Sequence, residues 1–519
     1  MSVIDINLTE LQEDYMVKYM QSVLEERAIP DLRDGLKPIQ RYCIWDCFNT
    51  GCLPNKPHVK CAKIVGSVIG NYSPHGDQSA YSALMRLAQN FSVNIPMING
   101  HGNIGNINGD SPAAYRYVEA RLSKYGLSLC DDINKNSVDF VQNYSNSMEE
   151  PSVLPSKVCN LLIQGSLGIA SGFISSIPPH NINDICNATI KLVKEPNTSV
   201  EYFAKNIKPD FPTGGIICNT SELEKAYSTG KGNIKIRSHV EIKENKNGRN
   251  SIIIKDLPFL VTVGPRITPG SANNDDSGLI NSIVSKIKDG TIEGIADIQD
   301  HSTGMDINIE IKLKKDYDPN IVLQKLYKYT KMESFYKMHL VCLNKKEYKY
   351  YSIKEILEEF IKFRKETIKR IIVFDINNTK RRIHILEGLI SALKVIDDVI
   401  KIIKSSKDKE TAKIALKKKL NSLTSVQIDY ILDMKLSAYP DLLSQKCIVR
   451  MYPVISTVPF SLNAVPTSRF SPPIRRLPSA VYIVIFSSLY EMISSTPPTS
   501  SFLLSVSVSF CSDFSIKNT

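Results

Sequence analysis

A chain of 519 residues with 42% hydrophobic and 23% charged residues has the composition of an ordinary globular protein of roughly two to four domains. Before the C-terminal segment it has no uncharged apolar run of about 18 residues, and residues 1–10 lack the features of a signal peptide, so we expect a cytoplasmic protein without membrane spans. The net charge of +11 suits a polyanionic partner, although surplus lysines can also be a solubilising surface.

The 11 cysteines include no CxxC pair, which predicts free thiols in a reducing compartment. Cys43, Cys47, Cys52 and Cys61 lie close to His58 in the sequence and could be imagined as a zinc site. Their spacing matches no usual zinc pattern, so we predict that these cysteines pack in a core.

The first 90 residues read as short helices joined by turns. Apolar residues recur every three or four positions over 8–27, which predicts a helix with one buried face, and further helices are predicted from Pro38 to about 49, from Pro57 to about 69 and over 78–90. Cations cluster in the loops and at the helix starts. A helix-turn-helix or winged-helix DNA reader and a small helical bundle both fit this pattern.

Residues 100–105 read GHGNIG, a formal GxGxxG motif. The motif is a weak dinucleotide fingerprint, because such a fingerprint leads directly into a helix. Here residues 106–110 separate the motif from the next predicted helix, and Gly109 lies at a position where that helix would have to be present. A nicotinamide-dependent enzyme stays an alternative on this motif alone. We interpret the segment as a turn-rich loop that positions the element that follows it.

The stretch SPAAYRYVEARLSK at residues 111–124 places Tyr117 directly after Arg116. Ser111 and Pro112 are an N-cap and a first-turn proline, and they predict a helix with Tyr117 in its second turn. A phenol beside a guanidinium suits covalent attack on a phosphodiester, because the arginine can stabilise the developing negative charge. With 23 tyrosines in the chain, the dipeptide alone is a weak signal.

Several long motifs in order resemble the breakage-reunion subunit of type IIA DNA topoisomerases, a group that includes the A-type subunits of bacterial gyrase and topoisomerase IV and phage relatives. The resemblance covers roughly residues 5–446. The motifs are RAIPDLRDGLKP (27–38), YSPHGD (72–77), GHGNIG (100–105), AAYRYVE (113–119), GSLGIA (165–170), IPPHN (177–181), PDFPTGG (209–215) and RIHILEGL (382–389).

The resemblance implies an α+β multidomain protein. Residues 1–150 would form a winged-helix domain, 151–340 an α/β tower domain, and 341–446 a coiled-coil arm whose tip, from about 422 to 445, forms the exit-gate contact of a homodimer. Alternating residues at 233–242, 251–255 and 306–312 independently predict strands, and helical spacing from Ile353 predicts a long exposed helix.

The same resemblance implies ATP-dependent strand passage through double-stranded DNA, in which Tyr117 forms a 5′-phosphotyrosyl bond and Arg116 binds the transition state. Free tyrosine ionises near pH 10, so cations and a metal must favour the phenolate. Ile169 matches the wedge that intercalates into the gate DNA. The residues that match other positions lining the DNA gate are Arg27, Lys37, Arg41 and His75.

This chain shows no phosphate-binding loop, and its compact acidic pair, Asp316 and Asp318, is explained more simply as helix capping. The resemblance implies that Mg²⁺ and ATP are bound by a separate B-type subunit with ATPase and TOPRIM domains, giving an A2B2 heterotetramer. A cleavage-deficient DNA-binding relative is the alternative function. The segments that resemble the family favour relaxation and decatenation as the activities of the enzyme, with supercoiling as the alternative.

Three features depart from the pattern. Gln78 and Ser82 replace the residues that bacterial relatives use for quinolone contact, so we expect weak fluoroquinolone sensitivity, and Gln40 and Tyr42 replace common basic residues beside Arg41. Residues 447–519 hold 16 serines and eight prolines but only seven charged residues. We interpret this tail as foreign to the fold or as a sequence error, with a genuine divergent tail as the alternative.

Overall fold

The computed structural model describes residues 8–170, 172–244, 249–265, 278–345 and 347–433. Helices and short antiparallel strands mix over these ranges, which confirms the α+β class. No helix in this part of the chain is long and apolar enough to cross a membrane. The predicted tail at 447–519, and the part of the predicted arm beyond 433, lie outside the described residues.

The first helix, α1, spans Leu8–Val23 and runs into a π-helical turn at Leu24–Ala28. The predicted helix is confirmed, but the prediction that its apolar face is buried is wrong for this chain, because Tyr15, Met16 and Tyr19 are more than half exposed. Burial begins only in the π-helical turn. Periodic spacing identifies the apolar face of a helix, whereas burial requires another element to cover it.

Three helices and a small antiparallel sheet share one apolar core. The helices are α2 (Pro38–Asn49), α3 (Cys61–Asn71) and α4 (Asp77–Ala88), and the strands, ordered β1-β3-β2, are β1 (Val59–Lys60), β2 (Ile98–His101) and β3 (Glu119–Leu122). The predicted helices at 38–49 and 78–90 are confirmed within two residues. The helix predicted from Pro57 starts four residues late, because Val59 and Lys60 pair with β3.

The helix predicted over 111–124 is wrong. Residues 111–118 form an irregular segment that ends in a turn, and strand β3 follows. Val118, Ala120 and Leu122 are all fully buried, so the segment buries every second residue, as a strand does. The cap signals at 111 and 112 are local, and pairing of β3 with both neighbouring strands outweighs them.

Short elements lead from this core to the larger sheets. They are α5 (Lys124–Ser128), a 3-10 turn (Ile133–Lys135), the hairpin strands β4 (Phe140–Gln142) and β5 (Glu149–Pro151), and α6 (Asn160–Gln164).

A five-stranded antiparallel sheet comes next in the chain, with strand order β6-β7-β14-β9-β8. Its strands are β6 (Ser166–Ala170), β7 (Phe173–Ile177), β8 (Ile216–Ile217), β9 (Lys231–Arg237) and β14 (Glu333–His339). The helices that follow in sequence are α7 (Ile182–Lys194), α8 (Val200–Asn206) and α9 (Thr220–Thr229). The core beside this sheet contains buried Phe203 and Tyr227 together with the start of the long helix at Ile353.

A four-stranded antiparallel sheet, ordered β10-β11-β13-β12, has a separate isoleucine-rich core. Its elements are β10 (Val240–Lys243), β11 (Ser251–Ile254), α10 (Leu279–Lys288), β12 (Ile295–Asp300), β13 (Ile309–Leu313) and α11 (Pro319–Tyr329). The hairpin of β15 (Val341–Asn344) and β16 (Glu347–Tyr350) follows β14. The strands predicted at 233–242 and 251–255 are confirmed, although Ser238 and His239 interrupt the first, and the strand predicted at 306–312 begins three residues late, at Ile309.

The predicted long helix is confirmed as α12, which runs for 41 residues from Ile353 to Leu393. Ser352 and Glu355 begin it with a capping box. Three shorter helices pack against its far end through a core that includes Leu389 and Ile428. They are α13 (Ile396–Ser405), α14 (Lys409–Lys419) and α15 (Ser425–Asp433).

Candidate active site

Tyr117 lies in the turn that leads into β3, and its side chain is 69% exposed. Arg116 is exposed beside it, with its guanidinium carbon 5.0 Å from the centre of the Tyr117 ring. A cation over a phenol ring is a favourable contact, and it holds both groups at one point of the surface. The structure therefore brings the two predicted residues together in a form that a large substrate can reach.

The main chain around Tyr117 is fixed although its side chain is exposed. The backbone amides of Cys61 and Ala62, at the start of α3, donate to the carbonyls of Val118 (2.9 Å) and Tyr115 (3.1 Å). The amide of Tyr117 donates to a carbonyl three residues back (2.9 Å) and closes the turn. A nucleophile on such a support loses little conformational freedom when it meets a substrate.

Further cations lie on the solvent face of the three-stranded sheet. The Lys60 ammonium lies 3.4 Å from the carbonyl oxygen of Arg116. The side-chain amide oxygen of Asn99 is 3.3 Å from Nε of Arg121 and 2.7 Å from Nε2 of His58. Lys60 and Arg121 were not among the predicted site residues. The surface around Tyr117 is thus more basic than predicted, which suits a polyanion.

The other predicted gate residues have different surroundings. Arg27 is exposed at the end of the π-helical turn, and His75 is exposed just before α4. Lys37 is half-buried, and its ammonium donates to the carbonyl of Leu167 (2.5 Å). Burial, with the nearby charge of Arg86, lowers the pKa of Lys37 to about 8.

The prediction that Arg41 lines the DNA-facing surface is wrong in this structure, because only 7% of the residue is exposed. Its Nε and Nη2 donate to the two carboxylate oxygens of Asp34, at 2.6 and 3.0 Å, and Nη2 also donates to the carbonyl of Leu36. Burial disfavours the charged guanidinium, yet Asp34 outweighs it and the pKa of Arg41 is raised. Arg41 therefore supports the fold from within.

Ile169 lies on β6, in the hairpin with β7, and 83% of it is exposed. Ile174, its partner in the register, is 46% exposed and Leu167 is 37% exposed. A lone isoleucine in a glycine-rich stretch would ordinarily be a core residue. Here the hairpin instead presents an apolar edge to solvent, as a wedge between base pairs would require.

The weaker sequence signals have structural explanations. The carboxylate of Asp318 accepts the amide of Asn320 (2.8 Å) and caps α11, and Asp316 is a positive-φ turn residue. The GHGNIG segment begins in β2 and leads into a loop rather than a helix. All of Cys43, Cys47, Cys52 and Cys61 are buried free thiols. Among the described residues, no three His, Cys, Asp or Glu side chains are grouped to hold a metal ion.

The chain is similar to known proteins along most of its length. The family model for the A-type subunits of DNA gyrase and topoisomerase IV matches residues 27–451. Three relatives, each the A-type subunit of a bacterial DNA gyrase, are 40% identical over 445 residues in Clostridium acetobutylicum, 42% over 438 in Lawsonia intracellularis and 38% over 436 in Helicobacter pylori. The alignments cover 86%, 84% and 84% of this chain but 52%, 52% and 51% of those proteins.

All of these matches are to A-type subunits of type II topoisomerases. The chain therefore belongs to the family of DNA gyrase and topoisomerase IV A-type subunits. The chain spans about half the length of the curated relatives that it matches. The resemblance predicted for 5–446 is confirmed, and the family match continues to residue 451, five residues into the segment predicted to be foreign.

Proposed function

We propose that this chain is the DNA-cleaving subunit of a type IIA topoisomerase, which cuts and reseals duplex DNA through a 5′-phosphotyrosyl bond to Tyr117. The observation that carries the proposal is the state of Tyr117: its side chain is exposed, its main chain is held by α3, and Arg116 lies against its ring. By contrast, tyrosines that pack in the core of this region, such as Tyr72 and Tyr81, are less than 5% exposed.

In the proposed reaction the phenol of Tyr117 loses its proton, and its oxygen attacks a backbone phosphorus. The bond from phosphorus to the 3′-oxygen breaks, and that oxygen leaves as a 3′-hydroxyl after taking a proton. The phosphotyrosyl ester retains the energy of the broken phosphodiester, so resealing is the same step reversed and needs no fuel.

Arg116, beside Tyr117, and other exposed cations of residues 1–150 would act on the DNA during cleavage. Arg116 is placed to bind the non-bridging oxygens as negative charge develops on them. Lys60 and Arg27 are exposed and can hold neighbouring phosphates. His75 is exposed at the start of α4 and is proposed as a phosphate donor or proton relay.

We assign the chain's parts to roles in the same scheme. Residues 1–150, with α2–α4 and the three-stranded sheet, would be the winged-helix domain. Residues 151–340, with the two larger sheets, would be the tower, and 341–446, which contain α12, would be the coiled-coil arm. Ile169, exposed on its hairpin, would intercalate and bend the gate DNA.

Two-metal phosphoryl chemistry needs clustered carboxylates. In the part of the chain that the structure describes, the acidic groups do not fit that requirement, since no three His, Cys, Asp or Glu side chains are grouped there to hold an ion, and Asp318 caps a helix. No step is therefore assigned to a metal on this chain. We propose that Mg²⁺ and ATP are bound by a B-type subunit with ATPase and TOPRIM domains, two copies of which join a homodimer of this chain as A2B2. The expected activities are relaxation and decatenation, with supercoiling as an alternative.

A plasmid cleavage assay tests the proposal. The chain is mixed with its cognate ATPase subunit, supercoiled plasmid and Mg²⁺, and the reaction is stopped with detergent and protease. We expect linear DNA from the unaltered chain and from Tyr115→Phe, which changes a tyrosine in the same turn. Tyr117→Phe should bind DNA with unchanged affinity and produce no linear DNA. Residual cleavage by Tyr117→Phe would refute the assignment.

A further inference from the structure

The hairpin that carries Ile169 rests directly on residues 27–37, the segment from the end of the π-helical turn to the start of α2. The Lys37 ammonium donates to the carbonyl of Leu167, at 2.5 Å. At the next position, a Cβ added to Gly168 would lie 2.0 Å from the carbonyl oxygen of Ala28 and 3.1 Å from the Lys37 nitrogen. No side chain fits in that gap, so glycine is what allows the backbones to approach this closely. Both contacts are within two residues of Ile169.

The second strand of the hairpin is also fixed. The hydroxyl of Ser175, which is buried, donates to the carbonyl of Val341 (2.8 Å). Phe173 and Ala170 pack against a small apolar cluster that contains Val341 and Ala28. The hairpin is therefore attached to the protein along both of its strands, while its apolar edge extends into solvent.

Lys37 and Arg27 belong to the same segment, residues 27–37, but have different surroundings. Arg27 is exposed, as expected for a side chain that binds phosphate. Lys37 is half-buried, and its ammonium is bonded to the hairpin backbone. Burial together with the charge of Arg86 lowers the pKa of Lys37 to about 8, so water and counterions screen this charge poorly.

We propose that Lys37 is a positioning residue that fixes the angle at which the Ile169 hairpin enters DNA, and that it does so through the Leu167 carbonyl rather than by binding a phosphate. The proposal rests on the proposed role of Ile169 as a wedge. A strand rises about 3.3 Å per residue, so the contact at Leu167 holds the backbone about 7 Å from the wedge. Unstacking a base step is costly, and a wedge whose direction is fixed beforehand loses less on insertion.

Two measurements on the full 519-residue chain separate positioning from phosphate binding. A short duplex labelled at both ends reports bending by energy transfer at saturating protein, and the salt dependence of its affinity reports the number of phosphate contacts. Lys37→Met should reduce the ratio of bent to unbent complex about tenfold, since it removes a hydrogen bond from a charged donor, and should leave the salt slope unchanged. Arg27→Met is the matched control, expected to reduce the slope by about 1 and to retain bending.

Gly168→Ala supplies a second variant that alters no charge. Its Cβ would meet the Ala28 carbonyl, so the hairpin must move, and we expect the same loss of bending with an unchanged salt slope. Fluorescence of Trp45 and circular dichroism verify that both variants are folded. Ile169→Ala should abolish bending by removing the wedge itself.

The possible failures are distinguishable. If Lys37→Met decreases the slope of log affinity against log salt concentration by about 1, the positioning role is overturned and Lys37 is a phosphate contact. Normal bending by Lys37→Met and Gly168→Ala, with loss of bending by Ile169→Ala, would also overturn it while the wedge role survives. Bending retained by Ile169→Ala would overturn both proposals.

Discussion

The buried ion pair of Asp34 and Arg41 allows the cost of one substitution to be worked out from the structure. Arg41→Ala would leave the Asp34 carboxylate, which is fully buried, without its cation. That carboxylate also accepts the amides of Leu36 and Leu154, each at 3.0 Å, so it cannot turn toward solvent without breaking them. The pair joins the loop before α2 to the chain 120 residues later.

The expected loss of unfolding free energy is about 3–5 kcal/mol, the range for breaking one side of a buried pair. No reduction for solvent screening applies, because the side chains of Arg41 and Asp34 are only 8% and 0% exposed. Asp31 and Arg33, in the same loop, form a similar contact, but the Arg33 side chain is 21% exposed. Arg33→Ala should therefore cost less, about 1–2 kcal/mol.

Urea titration measures both costs in one assay. Trp45, the chain's single tryptophan, is buried on the same helix as Arg41, so its fluorescence reports unfolding of this core. The midpoint for Arg41→Ala should fall well below that for Arg33→Ala. Equal midpoints for the two variants, or a loss below about 1 kcal/mol for Arg41→Ala, would refute the reasoning from burial.

Protonation, charge removal and drug binding give further tests. Burial lowers the pKa of His180 to about 4, so as the pH falls the unfolded chain is protonated at this residue before the folded chain is. The contribution of neutral His180 to the free energy of unfolding should be fully present above about pH 6.5 and decline by up to about 3 kcal/mol toward pH 4. Melting curves should depend less on pH in His180→Asn. Arg116→Ala should slow cleavage by about 10²- to 10³-fold at an unchanged melting temperature, because its guanidinium is exposed. Changing exposed Gln78→Ser and Ser82→Asp together should raise fluoroquinolone trapping of cleavage complexes by about tenfold; equal trapping would contradict the resemblance at these positions.

Elements whose signals are local could be predicted from the sequence. Pro38 fixes the start of α2, and uninterrupted helical spacing after Ile353 indicates α12 without reference to any partner. The strands β11 and β13 pair with each other, and the alternation of β13 matches its burial, in which every second residue is buried. In each case the local preference and the tertiary contacts favour the same conformation.

The failures share one physical cause, which is that burial and pairing depend on how residues pack in three dimensions and not on the local sequence pattern. Strand β3 forms because β1 and β2 flank it, and no signal within 111–124 reveals them. Arg41 resembles any surface arginine of a basic loop until Asp34 is placed against it. The apolar face of α1 has the periodicity of a buried face, yet the structure leaves it exposed.

One missed cation, Arg121, had a usable signal. Once the strand is recognised, Arg121 falls on its solvent face with Glu119, opposite buried Ala120 and Leu122, because alternate residues of a strand share a face. The exposure of Ile169 had no such signal from composition, and only the family resemblance singled it out. The positions of Tyr117 and Arg116 at one exposed point follow from the turn that precedes β3.

The role of Tyr117 as the residue that carries the DNA during cleavage can be tested directly. Cleavage complexes formed with the cognate ATPase subunit would be denatured, digested with nuclease and protease, and analysed by mass spectrometry. We expect one modified peptide, with a nucleotide joined through its 5′-phosphate to the oxygen of Tyr117. A nucleotide on another tyrosine, or a 3′-phosphate linkage, would contradict the proposed role.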